Sequence, residues 1–237
     1  MRLALVDERI SDKCRTALLR RGFNVIPMPA AEGLSTPVAS HPDMLIARLG
    51  NDIITTADYI DRAAYVFSDI REYAPHVRIH VTDERYSTKY PDDAILNVLA
   101  LGKKLFLKKN SVSKTLLSIA ESLGYEIINT NQGYPACTVL QLTDSDAITA
   151  DRGLALTLME WGASVTIIKN GGITLPPYEY GFIGGASGVF DKTVYFLGDV
   201  MKLPDGEKIV KKIESCGMMA VSLSDEIPAD LGKIIFL

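Results

Sequence analysis

Only three cysteines, Cys14, Cys137 and Cys216, stand in the 237 residues. They are too few and too scattered for a disulfide framework or a zinc motif. Long apolar runs are also missing. Stretches such as Val98 to Leu101 fall far short of the ~18 residues of a spanning helix. Four apolar residues, Leu3 to Val6, precede Asp7 and Glu8, where a secretory signal has an apolar run of ~7–15. The expected location is therefore the cytoplasm, with no membrane partner. No excess of basic charge exists: 25 Lys and Arg face 29 Asp and Glu, a net charge of −4. That balance argues against a nucleic-acid partner, which needs a basic stripe. No Pro-, Gly- or Ser-rich linker interrupts the chain, so residues 1–237 read as one domain. What is present is 47% hydrophobic residues, enough apolar surface to offset chain entropy and exclude disorder.

One grammar recurs: an amphipathic helix, a glycine, then a short β-rich strand. Ile10, Cys14, Ala17 and Leu18 share a helical face. Gly22 can end that helix in the left-handed conformation, and Phe23 to Ile26 follow as a strand. Gly124, Gly162 and Gly217 repeat the pattern, with strands at Tyr125–Ile128, Val165–Ile168 and Met218–Leu223. A fifth copy is irregular, with a helix over Asp58–Phe67 and a strand at Val77–Val81. Thr56, Asn110 and Thr149 or Asp151 are candidate helix N-caps.

Turn signals split the chain between these units into β-hairpins. The predicted pairs are Leu45–Leu49 with Ile53–Thr55, Ile95–Leu101 with Leu105–Leu107, Val139–Leu142 with Ala147–Thr149, and Val189–Phe190 with Val194–Leu197. The lone strands Leu3–Val6 and Ile234–Leu237 complete a fifth hairpin across the termini. The prediction is an α/β fold of five strand–strand–helix–strand units, closed into a ring by the terminal strands. An open doubly wound sheet also alternates helices and strands, but with about one strand per helix rather than three.

This pattern resembles the β/α-propeller of the guanidino-group-modifying enzymes, the penteins, and more narrowly an uncharacterised bacterial family of that fold. The resemblance spans the whole chain. It implies a cysteine nucleophile attacking a guanidinium carbon, a histidine acid/base and carboxylates that hold a cationic substrate. In the enzymes the thiol follows a glycine-rich turn near the C-terminus. The matching stretch here is Gly184-Gly185-Ala186-Ser187-Gly188-Val189, and no cysteine follows it.

The candidate nucleophile is instead Cys137, in Tyr134-Pro135-Ala136-Cys137-Thr138, where a loop leads into a hairpin. A buried, inert thiol is the alternative. His41-Pro42-Asp43 holds a similar repeat position. A His–Cys pair lowers a thiol pKa, making His41 the candidate acid/base and Asp43 the orienting carboxylate. A plain strand-starting turn is the bland reading. Asp93, in Asp92-Asp93, can meet a guanidinium in bidentate fashion. Gly184, Gly185 and Ser187 are assigned to substrate binding, since glycines permit close backbone approach. His76 and His80 share a strand face with Arg78, but no third metal ligand is spaced with them. Cys14 and Cys216 lie on apolar helix faces and read as structural. No cofactor and no metal are expected, because thiolate chemistry with an adjacent base is self-sufficient. A small-molecule ligand is the expected partner. The other function class is a non-catalytic binding protein on the same scaffold.

Overall fold

The computed structural model describes residues 2–237. In chain order the elements begin β1 (Arg2–Asp7), α1 (Asp12–Arg20), β2 (Phe23–Met28), α2 (Pro42–Leu45), β3 (Ala47–Leu49), β4 (Asp52–Thr56), α3 (Ala57–Arg62), α4 (Ala64–Tyr73) and β5 (Arg78–Thr82). They continue with β6 (Leu99–Leu101), β7 (Lys104–Leu107), α5 (Lys114–Ser122), β8 (Glu126–Asn129), α6 (Pro135–Thr138), β9 (Val139–Gln141), β10 (Asp146–Thr149), α7 (Arg152–Glu160) and β11 (Ser164–Ile167). The last are β12 (Ser187–Phe190), β13 (Thr193–Phe196), α8 (Gly206–Ser215), β14 (Met219–Ser222) and β15 (Ile235–Phe236). Among the described residues no helix is long and apolar enough to cross a membrane.

The strands form five three-stranded sheets: β15-β1-β2, β3-β4-β5, β6-β7-β8, β9-β10-β11 and β12-β13-β14. In each, the first strand pairs antiparallel with the second, and the second runs parallel to the third after a helical crossover. This is the five-unit arrangement read from the sequence, with the split unit assembled from β15 and β1. Gly22, Gly124, Gly162 and Gly217 all take positive φ between 71° and 91° just past a helix, a backbone that other residues adopt only at a cost.

Five hydrophobic clusters join the sheets in a circuit. Leu3, Leu5 and Met28 pack on Ile53, Val66 and Phe67. Leu49 and Ile54 pack on Leu105 and Leu107. Leu101 and Phe106 pack on Val139 and Ala147, and Leu140 and Ile148 on Val194 and Phe196. The fifth cluster sets Tyr195 and Leu197 against Ala4, Val6 and Phe236, so the last sheet meets the first. A cavity of about 330 Å³ is lined by Arg48, Leu99, Gln141, Val189 and Ile235, one residue from each of β3, β6, β9, β12 and β15. These first strands thus surround the middle of the ring.

Three local expectations are corrected. The helix expected over Asp58–Phe67 is two segments, because Ala63 leaves helical geometry at φ −113°, ψ 34°. The N-cap of α5 is Ser113, whose side chain accepts from Leu116 N, not Asn110. The strand expected from Ile95 begins only at Leu99: a turn closes from Asn97 N to Ala94 O, and the Asn97 side chain faces inward.

Candidate functional site

The turns that lead into the five first strands converge. His41 precedes α2 and Asp43 lies within it, before β3. Pro42 at the first helical position fits a turn whose amide has no partner. Asp93 and Asn97 lie before β6, Cys137 lies in α6 before β9, Gly184 and Gly185 precede β12, and Asp230 precedes β15.

His41, Asp43 and Cys137 are fully buried, and a ring nitrogen, a carboxylate oxygen and the thiol Sγ all lie within 4.8 Å of one another. Neither ring nitrogen of His41 and neither carboxylate oxygen of Asp43 has a hydrogen-bond partner. Buried polar atoms are ordinarily bonded, and here four without a protein partner lie together. Asn97 ties the elements together. Its Nδ2 donates to Asp43 O and Cys137 Sγ, each at 3.2 Å, and its Oδ1 accepts from Ala136 N at 2.9 Å.

Two further carboxylates flank His41. Asp230 Oδ1 lies 3.9 Å from Nδ1 and Asp7 Oδ2 lies 3.9 Å from Nε2. Asp7 is held by Arg9 through two side-chain bonds of 2.9 and 2.6 Å. Asp230 accepts from Phe182 N and Gly232 N. Gly232 is required there: its φ is +68°, and a Cβ would collide with the His41 side chain.

Burial sets the charges. It pushes the Asp43 carboxyl up to about 6 and Asp230 up to about 7. It pushes His41 down to about 4. Cys137 is raised well above the ordinary thiol range, by burial first and then by the neighbouring Asp43 and Asp230. The expectation that a histidine lowers this thiol's pKa is corrected: His41 is neutral at pH 7, and carboxylates outnumber cations around the sulfur.

His41, Cys137 and Asp230 open on a cavity of about 580 Å³. Asp93 stands in its wall, with Oδ2 accepting from the Tyr134 hydroxyl at 2.6 Å and Oδ1 free. Gly184, Gly185 and Ser187 do not line the cavity. Gly184 packs against the carbonyls of Ala136 and Cys137, and Gly185 N donates to Cys137 O at 2.8 Å. A Cβ on Gly185 would collide with the Asp230 carboxylate. The two glycines thus back the turns that carry Cys137 and Asp230. Ser187 is wholly buried and donates its hydroxyl to Ile183 O.

Asp7, Asn97 and Asp230 were not singled out from the sequence. Asn97 falls inside the strand expected over Ile95–Leu101. The signal that could have found Asp230 is its repeat position, shared with Asp43 and Cys137. Sequence spacing excludes a zinc motif, yet the fold gathers a nitrogen, an oxygen and a sulfur donor in His41, Asp43 and Cys137, a set that suits a borderline divalent cation. His76 is exposed, while His80 and Arg78 both bond Asp52.

This ring of five sheets is the pentein fold, and the solved structures it resembles show the same class. A dimethylarginine dimethylaminohydrolase from Pseudomonas aeruginosa, complexed with citrulline, matches with a TM-score of 0.55 at 10% identity, over 94% of this chain and 91% of that one. The amidinotransferase SxtG of the Microseira wollei saxitoxin biosynthetic pathway matches with a TM-score of 0.55 at 14% identity, over 97% and 93%. A Campylobacter jejuni ("C. Jejuni") agmatine deiminase variant with substrate bound matches at 0.53 and 8% identity, over 94% and 87%. No curated protein matches the sequence. Within the pentein class, the chain belongs to the family described as Family of unknown function (DUF6873), whose model matches residues 5–235.

Proposed function

We propose that this protein carries out thiol-dependent chemistry on the guanidino or amidine group of a small molecule, with Cys137 as nucleophile, His41 as acid/base and Asp43 as the carboxylate that orients the cation. The observation that carries this reading is the buried Cys137–His41–Asp43 group, with unbonded imidazole and carboxylate, whose Cys137 and His41 line a 580 Å³ cavity while Asp43 lines the cavity in the middle of the ring. Asp93 adds a free carboxylate oxygen in the wall. Neighbours of the same fold are named as enzymes acting on dimethylarginine and agmatine and as an amidinotransferase.

The raised thiol pKa fits a nucleophile activated by its substrate. A bound guanidinium neutralises the carboxylates that oppose ionisation. The Cys137 proton passes to a free nitrogen of neutral His41, and Sγ bonds to the central carbon. The C=N electron pair moves to nitrogen. The amine leaves as its C–N bond breaks, taking the proton back from His41. A water, deprotonated by His41, then attacks the S-linked carbon, and the C–S bond breaks to restore the thiol. The net reaction converts a guanidine and water to a urea and an amine; an amine acceptor in place of water makes it a transfer.

Alkylation tests this directly. Cationic 2-chloroacetamidine is expected to label Cys137 at pH 7.5 at least tenfold faster than neutral chloroacetamide, and Asp43→Asn to remove most of that preference. Equal rates, or a thiol spared by both reagents until unfolding, would end the nucleophile reading. Ligand binding with no turnover then points to the binding-protein class.

A further inference from the structure

The cavity above Cys137 is lined by titratable acids and by no cationic side chain to oppose them. Asp93, Glu179 and Asp230 line it, together with neutral His41 and the thiol. No Lys or Arg is among the lining residues. Two nearby cations are engaged elsewhere, and a third, Lys233, acts on Asp43 and Cys137 from outside this cavity. Arg9 is bonded to both oxygens of Asp7 and to Pro37 O. Lys108 lies over the Tyr90 ring, 5.4 Å from its centroid, with Nζ donated to Asn131 O. Half-buried Lys233 lines the other cavity, in the middle of the ring.

The rest of the wall is mostly aromatic and apolar, with Tyr134, Tyr178, Tyr180, Phe182 and Leu175, and its uncharged polar groups are Ser35 and Gln132. Tyrosine faces attract cations, and the lining offers a carboxylate hydroxyl donors but no cation. An amino acid carrying a guanidine would bring its α-carboxylate into this wall beside Asp93 and Glu179, with no cation in the lining to pair its charge.

Building on the reading of Cys137 as a thiol that meets a guanidinium, we infer that the ligand is a guanidine or amidine without a carboxylate, whose far end is an amine or an apolar group. Asp93 and Asp230 face the guanidinium end. Glu179, exposed at the mouth beside Tyr178, meets a second positive charge where the ligand has one.

Calorimetric titration of Cys137→Ser protein, which cannot turn ligand over, separates the possibilities with three probes: n-butylguanidine, 4-guanidinobutylamine and L-arginine. Both carboxylate-free probes are expected to bind at least tenfold more tightly than L-arginine. Glu179→Gln is expected to weaken the amine-bearing probe severalfold while leaving n-butylguanidine unchanged. The same ranking is expected when the probes protect wild-type Cys137 from 2-chloroacetamidine. L-arginine binding as tightly as n-butylguanidine overturns the inference and leaves the thiol reading standing. Binding of none of the three at millimolar concentration, in either measurement, overturns the guanidine reading and this inference with it.

Discussion

Cys137, His41, Asp43 and Asp230 are each held where burial opposes their charged form, and this gives the protein a defined pH response. Asp43 and Asp230 titrate near 6 and 7 when folded, above the ~3.9 of an unfolded aspartate. Their folded-state preference for the proton is complete below about pH 4, and it is lost as pH rises through 6 and 7. His41, lowered to about 4, acts oppositely: its contribution is lost as pH falls from its unfolded value of ~6.5 toward 4. Melting temperatures should therefore fall as pH rises from 5 to about 7 and level off above it, and Asp230→Asn should flatten that fall. An unchanged slope would mean that Asp230 is ionised in the folded protein throughout. Gly185→Ala is expected to cost several kcal/mol, because its Cβ meets the Asp230 carboxylate. Gly217→Ala, with open space around it and φ +71°, should cost only about 1 kcal/mol. Urea denaturation of the two variants makes the comparison.

Helix caps reach into the cavity. Asp151 caps α7 by accepting from Leu154 N at 2.8 Å, and its other oxygen accepts from Gln132 Nε2 at 3.0 Å. Gln132 lines the cavity and also receives Tyr134 N. Asp151→Ala should therefore lower stability by about 1 kcal/mol and also weaken ligand binding, whereas Ser113→Ala at the α5 cap should cost similar stability and leave binding unchanged. The helix–glycine–strand units were legible in the sequence because each signal is local: a helical face, a left-handed glycine, a turn between β-rich runs. His41, Asp43 and Cys137 drew attention because each sits just ahead of a hairpin. Asp230, in Pro228-Ala229-Asp230-Leu231-Gly232, carries no such local mark. Its partners His41 and Gly185 are far away in the chain, and only the closed ring brings them within reach. The Gly184–Ser187 stretch stood out for its glycines, yet the reason for them is the close approach of Cys137 and Asp230 behind it rather than an open pocket.

The circuit of five clusters makes every sheet a neighbour of two others, so damage to one seam is felt in both. Ile234, Ile235, Phe236 and Leu237 are all buried. Removing them deletes β15 and strips apolar contacts from two clusters. At ~1.5–3 kcal/mol for each buried side chain, the loss equals much of the ~5–15 kcal/mol that stabilises a typical fold. A chain lacking residues 234–237 is expected to show no cooperative thermal transition by circular dichroism. A sharp transition within a few degrees of the intact protein would show that the seam contributes little.

The strand that is last in sequence pairs with the first, and this orders events in time as well as in space. Contacts between distant parts of a chain form slowly, since loop closure precedes any reward from pairing. A growing polypeptide would complete the turns of His41 and Cys137 well before Asp230 and β15 arrive. Until then His41 has only Asp7 of its two flanking carboxylates, and the thiol lacks part of its shelter. Cysteine protection followed through refolding should therefore appear at Cys137 only in the final phase, together with the pairing of β15 and β1, so that the shelter of this thiol is the last thing the chain acquires.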